Sequence, residues 1–209
     1  MEIPGEIVDL ARRIFGEDIR LRLTKNPKIQ AHYNPLGKTL NLSRGLMNAY
    51  NEGYVSLRDV EAILWHEHGE RAYYKPRVGR LILLLCLIAV ASMAAAGWPF
   101  GRGSVRELVA LCIPLLTFLV FMNSVYSPVN RAKELLCDLH AAVSMGSIRA
   151  IADSLSKAEA FNSSIRVSWF RRVRKRFMES LSEHPENSER IGFLREVEAL
   201  CRRLEKGNY

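Results

Sequence analysis

Residues 57–74 read LRDVEAILWHEHGERAYY, a stretch without proline that begins directly after Ser56. Serine is a preferred residue at the start of a helix, because its hydroxyl accepts a hydrogen bond from a backbone N–H of the first turn. Asp59 stands where the capping box has glutamate or glutamine and is a weaker relative of that residue. The sequence therefore predicts a helix from Leu57 to about Tyr74.

The segments before this helix predict a second helix and a small sheet. Residues 2–16 repeat apolar side chains at helical spacing. Residues 18–24 (DIRLRLT) alternate apolar and polar side chains, and residues 27–43 give two extended runs around an NPLG turn at 34–37. A small antiparallel β-sheet is the expected arrangement.

Two segments after the helix have the composition of membrane spans. The chain has 209 residues and a mean hydropathy of -0.04, but residues 81–100 (LILLLCLIAVASMAAAGWPF) and 108–126 (LVALCIPLLTFLVFMNSVY) contain no charged residue. Each is close to the roughly 20 residues that span a bilayer, and their proximity favours a transmembrane hairpin over a buried soluble helix. Residues 131–160 and 188–206 then predict helices.

Basic residues near the two spans predict the orientation of this hairpin. Those on the side of the termini are Arg71, Lys75, Arg77, Arg80, Arg131 and Lys133. The connecting loop has only Arg102 and Arg106. The positive-inside rule therefore places both termini in the cytoplasm and the loop outside. The start of the chain has no basic segment followed by an apolar one, so a cleaved signal peptide is not expected.

The charge balance and the spacing of the cysteines indicate which binding partners and which kinds of cysteine site the chain can have. Lys and Arg exceed Asp and Glu by 30 to 22, a formal net charge of +8. Residues 166–177 (RVSWFRRVRKRF) concentrate basic and aromatic side chains, which suits anionic lipid headgroups as well as a solvated face with no specific role. The four cysteines are widely spaced and form no C-x-x-C pair, which argues against a disulfide framework and against a cysteine zinc site.

The helix after Ser56 contains the first group of residues suited to catalysis. His66 and Glu70 fall about 40° apart on one helix face, so both side chains can bind one metal ion, and Glu67 lies beside them. Metallopeptidases need this layout, in which a carboxylate next to two ligands accepts a proton from water. A charged helix face without any metal also fits the pattern, since the usual second ligand is histidine and not glutamate.

A second pair of acidic residues follows the predicted hairpin. Glu134 and Asp138 in RAKELLCDLH (131–140) lie one helical turn apart. Glu134 suits a third metal ligand, and Asp138 suits a hydrogen bond to a ligand histidine. Acidic residues at this spacing are also common on solvated helices.

Taken in order, these segments resemble the integral-membrane gluzincins that include the CAAX prenyl protease and the HtpX-like proteases. LNLSRGLMN (40–48) precedes LWHEHGE (64–70), where that family has H-E-x-G-H. The two apolar runs follow, then RAKELLCD (131–138), like R-x-x-E-x-x-A-D, and finally His184, Pro185, Arg190 and Ile191, like H-P-x-x-x-R-I. The chain differs from the HtpX-like proteases in two ways. It lacks transmembrane helices before the catalytic helix, and Glu70 stands where those proteases have histidine.

The resemblance implies a mainly α fold with a small antiparallel sheet, in which a two-helix hairpin interrupts a gluzincin-like domain. The expected parts are residues 1–78 and 128–209 as the two halves of the catalytic domain and 79–127 as the hairpin. It also implies metal ligands and catalytic groups. The ligands are His66, Glu70 and Glu134, the general base is Glu67, and the oxyanion-stabilising residues are His184 and Arg190. The run 38–43 is expected to be the edge strand that binds the substrate backbone.

The leading hypothesis is a membrane-bound zinc endopeptidase that cleaves peptide or membrane-protein substrates at the cytoplasmic face of the cell membrane. Because Glu70 adds a second carboxylate, Mn²⁺ or another divalent ion is an alternative to Zn²⁺. The alternative hypothesis is a weakly active or inactive relative that serves as a membrane-anchored binding or regulatory module. A nucleic-acid binder that uses 166–177 ranks last, because the chain has no recognised nucleic-acid-binding motif.

Overall fold

A computed structural model describes residues 2–35, 37–73, 127–165 and 185–205. The chain divides into two compact units, one made of Met1–Tyr73 and Arg131–Tyr209 and the other of Tyr74–Asn130. The predicted spans at 81–100 and 108–126 lie outside the described residues. Within the described part of the chain, no helix has the length and apolar character needed to cross a bilayer.

The first half of the larger unit places two helices and three strands before the long helix that the sequence predicted. In chain order these elements are α1 (Gly5–Phe15), β1 (Arg20–Thr24), β2 (Ala31–Asn34), β3 (Thr39–Ser43), α2 (Arg44–Asn51) and α3 (Leu57–Tyr73). Helix α2 was not predicted. It begins because the Ser43 side chain accepts a hydrogen bond from the backbone N–H of Leu46.

Helix α3 begins as its sequence predicted. The Asp59 carboxylate accepts hydrogen bonds from the Ser56 N–H at 2.8 Å and from the Ser56 hydroxyl at 2.7 Å, and the Asp59 N–H donates to Ser56 Oγ at 3.3 Å. These reciprocal bonds satisfy backbone groups that the first turn of a helix leaves open. Lys157 adds an ion pair to Asp59 at 2.6 Å, which joins the start of α3 to a later helix.

The sheet is mixed, so the prediction of an antiparallel sheet was wrong for one strand pair. Its order is β1-β3-β2, with β2 antiparallel to β3 and β1 parallel to β3. The chain reverses direction between β1 and β2 and again at the turn before β3. A strand β1 that pairs with β3 must therefore run parallel to it.

The strand order also corrects the prediction for residues 38–43. Strand β3 pairs on both sides and is the central strand, so it cannot be the edge strand that accepts a substrate backbone. The edge strand that contacts α3 is β2. Apolar and polar side chains alternate in both β2 and β3, so the sequence pattern does not distinguish a central strand from an edge strand.

Three more helices follow in the described part of the chain: α4 (Ser127–Met145), which belongs to the larger unit from Arg131 onward, α5 (Ile148–Ser164) and α6 (Asn187–Glu205). The single helix predicted over residues 131–160 is thus divided into α4 and α5. Gly146 adopts a φ of 62°, a left-handed conformation that glycine tolerates and that ends α4. The Ser147 side chain then accepts from the Ala150 N–H and begins α5.

Two groups of buried apolar side chains hold these elements together. The larger group joins α1, the sheet, α2 and α3 around fully buried side chains, among them Ile7, Leu40, Leu42, Leu46 and Leu64. The smaller group lies between α3, α4, α5 and α6 and comprises Ala62, Ala141, Ala142, Ile151 and Leu194. Helix α3 contributes to both groups, and its polar face lies next to α4.

Candidate metal centre and general base

Helices α3 and α4 bring together His66, Glu134 and Asp138, which are far apart in the chain. His66 Nε2 lies 3.3 Å from Glu134 Oε2, and His66 Nδ1 lies 2.8 Å from Asp138 Oδ1. Glu134 and Asp138 are buried, Asp138 completely. The imidazole is therefore held between two carboxylates, one at each ring nitrogen.

This arrangement fits a divalent metal ion. Two ligand atoms held about 2.0–2.2 Å from a tetrahedral metal lie roughly 3.3 Å apart, the separation found between His66 Nε2 and Glu134. Asp138 accepts from Nδ1, which directs Nε2 toward Glu134 in the manner of a carboxylate that orients a metal-binding histidine.

The electrostatics of the site favour positive charge at the same place. Burial opposes a charged His66, but the hydrogen bonds to Asp138 and Glu134 outweigh burial and raise the pKa of His66 to about 10. A divalent cation would be stabilised by the same carboxylates. His66 and Glu134 thus fit a cation both in spacing and in charge.

Arg190 from α6 fixes the position of Asp138. The guanidinium donates to both carboxylate oxygens, from Nε to Oδ2 at 2.7 Å and from Nη2 to Oδ1. Burial opposes ionisation of Asp138, but these bonds and the one from His66 keep its pKa below the ordinary value. In the structure, Arg190 thus binds Asp138. Its predicted role in stabilising an oxyanion stays a prediction. His184, the other predicted oxyanion residue, lies outside the described residues.

Glu67 lies on the side of α3 that faces strand β2. Its Oε2 accepts a hydrogen bond from the Tyr33 N–H at 2.7 Å. Burial is the largest cause that raises the pKa of Glu67 to about 7; His66 opposes the rise, and the charge of Glu70 adds to it. A carboxyl group with a pKa near neutrality can both accept and return a proton, as a general base requires.

Glu70, the predicted ligand that differs from the usual histidine, has a cationic neighbour. Lys133 Nζ donates to Glu70 Oε1 at 2.9 Å. Both side chains are less than one-third exposed. Lys133 directly precedes Glu134 on α4. The sequence did not point to this ion pair, because no spacing rule relates positions on two separate helices.

His32 is a further residue that sequence reasoning missed. It lies on β2, next to Tyr33 in the chain. Among the described residues, His32, Glu67 and Glu70 form a group whose potential ligand atoms all lie within 4.8 Å of one another. The only sequence signal was a polar residue in an alternating strand, and that signal does not distinguish a site residue from a solvated one.

Comparisons with known proteins identify the family to which the chain is similar. The sequence signature described as Peptidase family M48 matches residues 16–198. The chain is similar to a protein described as "Protease HtpX homolog" from Aeropyrum pernix, with 27% identity over 172 residues. The match covers 76% of this chain and 51% of that relative, so the chain spans about half the length of the relative.

Proposed function

The chain belongs to peptidase family M48, and on that premise we propose that it is a metal-dependent endopeptidase of the HtpX-like type. The observation that supports this most directly is the position of His66. Its Nε2 lies 3.3 Å from Glu134, its Nδ1 is held by Asp138, and the buried Glu67 follows it on the same helix. This combination provides metal ligands, an orienting carboxylate and a base.

Zn²⁺ is the proposed cofactor, with His66 and Glu134 as ligands. Glu70 is the third candidate, although in the structure the group within 4.8 Å that contains Glu70 is the one with His32 and Glu67. When bound, such a cation supplies Lewis acidity to a peptide carbonyl and to a water molecule. Mn²⁺ is the alternative, because carboxylate oxygens suit harder ions. Asp138 and Arg190 together keep the His66 ring in one orientation.

Glu67 is the proposed general base. The Tyr33 N–H donates to Oε2 and holds the carboxylate in place, so that the carboxylate can accept a proton from water and return it to the leaving amine. A pKa of about 7 suits both transfers near neutral pH. Because β2 is the sheet edge beside α3, we propose that a substrate backbone adds to β2 in the vicinity of Glu67.

The proposed location is the cell membrane, with both termini and the site on the cytoplasmic side. The two uncharged runs and the flanking basic residues support this placement. Residues 166–177 are proposed to contact anionic lipids. The proposed substrates are peptides or membrane proteins.

The substitution Glu67→Gln tests the proposal. The amide cannot accept a proton, so proteolysis of casein should fall on the order of 10²–10⁴-fold, while the bound zinc per chain remains that of the parent protein. Glu61→Gln is the matched control, since Glu61 lies on the same helix and pairs with Arg13 away from the site. This control should retain parental proteolysis.

A second candidate is a non-catalytic relative that keeps the fold for binding or regulation. The ion pair between Lys133 and Glu70 favours it, because a lysine engages one of the proposed ligands. Under this alternative, the parent protein and Glu67→Gln would show the same residual cleavage. Equal cleavage would therefore contradict the endopeptidase proposal.

A further inference from the structure

Lys133 is a charged residue of the candidate centre to which the proposed reaction assigns no part. Its Nζ lies 2.9 Å from Glu70 Oε1, and both side chains are largely removed from solvent. Lys133 also directly precedes Glu134 in the chain. Because lysine is a cation at neutral pH, this ion pair places a positive charge next to the proposed ligands.

The charge of the proposed ligand set shows why this cation matters. The resemblance implies a set of two histidines and one glutamate, which has a single negative charge. With Glu70 in place of one histidine, the set has one negative charge more. Extra negative charge binds a divalent cation more tightly but lowers its Lewis acidity. Lys133, paired with Glu70, removes that excess.

We propose that Lys133 is the built-in counter-ion of Glu70 and returns the charge around the metal to that of the two-histidine set. The Lys133 bond uses one carboxylate oxygen of Glu70 and leaves the other for a cation. Lys133 is a positioning residue, since it acts through Glu70. This inference rests on the proposed function, because it assumes that His66, Glu70 and Glu134 bind a metal ion.

The proposal also predicts how the metal-free protein behaves. Without Lys133, Glu70 is an unpaired and mostly buried carboxylate close to Glu67, and such a group destabilises the folded state. A bound metal ion would then neutralise Glu70 more strongly than the imidazole of His32, which lies within 4.8 Å of it. Removal of Lys133 should therefore lower the stability of the metal-free protein and tighten metal binding, two effects of opposite direction.

The test uses the full chain in detergent and compares four variants: Lys133→Met, Lys133→Arg, Glu70→His and the double variant Glu70→His with Lys133→Met. Zinc affinity is measured with zinc chloride against a chromophoric chelator, and the thermal midpoint Tm is measured after metal removal. Lys157→Met is the control for loss of an ion pair elsewhere, since Lys157 pairs with Asp59 at the start of α3. It should lower Tm without a change in zinc affinity.

We expect Lys133→Met to lower the metal-free Tm, to raise zinc affinity roughly tenfold because a nearby positive charge is lost, and to lower turnover per bound zinc. Lys133→Arg should remain close to the parent. In the Glu70→His background the same loss of Lys133 should not lower Tm, because no carboxylate is left unpaired. The double variant should recover turnover, since its charge equals that of the parent.

Two results would overturn the inference and leave the proposed function intact. One is a parent protein that binds zinc while Lys133→Met changes neither zinc affinity nor the metal-free Tm. The other is an equal loss of Tm from Lys133→Met with Glu70 and with histidine at position 70. If Lys133→Met fails to fold, the comparison of Glu70→His with the double variant still tests the inference, because a loss of metal-free Tm on removal of Lys133 in that background would overturn it. A parent protein that takes up no zinc would instead contradict the proposed function and the inference with it.

Discussion

At the scale of single residues, the protonation of each carboxyl group in the site depends on the groups that contact it. Glu67 is the clearest case, because it is buried next to other carboxylates and accepts a hydrogen bond from the Tyr33 N–H. Asp138 is more deeply buried but remains ionised, since Arg190 and His66 both donate to it. Two carboxyl groups in one site thus differ in protonation because of their partners.

This difference predicts a pH-dependent stability for the metal-free protein. The pKa of Glu67 rises from 4.5 to about 7 on folding, so the folded state binds a proton more tightly than the unfolded state. The resulting stabilisation is complete below about pH 4.5 and is lost as the pH rises through about 7. Glu67→Gln, which cannot ionise, should raise stability at pH 8 by about 1–3 kcal/mol.

Thermal unfolding of metal-free protein at pH 5 and at pH 8 measures this effect. The stabilisation by Glu67→Gln should be much smaller at pH 5, where Glu67 in the parent is already protonated. Glu61→Gln serves again as the control on the same helix. A change in Tm of equal size at both pH values would show that Glu67 does not titrate in this range.

At the scale of elements, the centre requires close contact between α3 and α4. Gly69 provides it, because a Cβ atom at this position would lie 3.1 Å from Cys137 Cα and 3.3 Å from the Cys137 carbonyl oxygen. Those atoms belong to the backbone of α4 and cannot rotate away. Gly69 lies one turn after His66, so the same contact sets the distance between His66 and the carboxylates of α4.

Gly69→Ala should therefore push α3 and α4 apart and lower stability by about 1–3 kcal/mol. Alanine favours a helix over glycine by about 1 kcal/mol, but the overlap with a rigid backbone outweighs this gain. Zinc affinity should fall as well, because His66 moves away from Glu134. Thermal unfolding and chelator competition measure the two effects.

Gly192→Ala is the matched control for this substitution. Gly192 lies in α6 with nothing within 4 Å of an added Cβ, so the helix preference of alanine acts without overlap. We expect the control to be as stable as the parent or more so. If Gly69→Ala matched this control in both stability and zinc affinity, close contact at Gly69 would not position the centre.

At the scale of the whole molecule, the candidate centre collects residues from three helices and the strand β2. The chain between α3 and α4 comprises residues 74–126 and includes the two uncharged runs. The hairpin proposed for these runs would lie between the two helices in the chain, and the proposed location predicts which side of the membrane its connecting loop faces.

Cysteine labelling tests the orientation. In a variant without the native cysteines, a membrane-impermeant maleimide should label Ser104→Cys, in the predicted connecting loop, from outside intact cells. Ser188→Cys, at the start of α6, should react only after the membrane is opened. The opposite pattern of labelling would show that the termini lie outside the cell.

The sequence by itself determined the features that depend on near neighbours in the chain. The Ser56 cap of α3, the common face of His66 and Glu70, and the helical spacing of Glu134 and Asp138 all follow from helix geometry, and the family resemblance followed from their order. Tertiary structure alone decided that β1 runs parallel to β3, that Arg190 holds Asp138, and that Lys133 pairs with Glu70. These pairs are separated by long stretches of chain, so their contacts arise from how α3, α4, α6 and the sheet pack and from the cost of a buried charge without a partner.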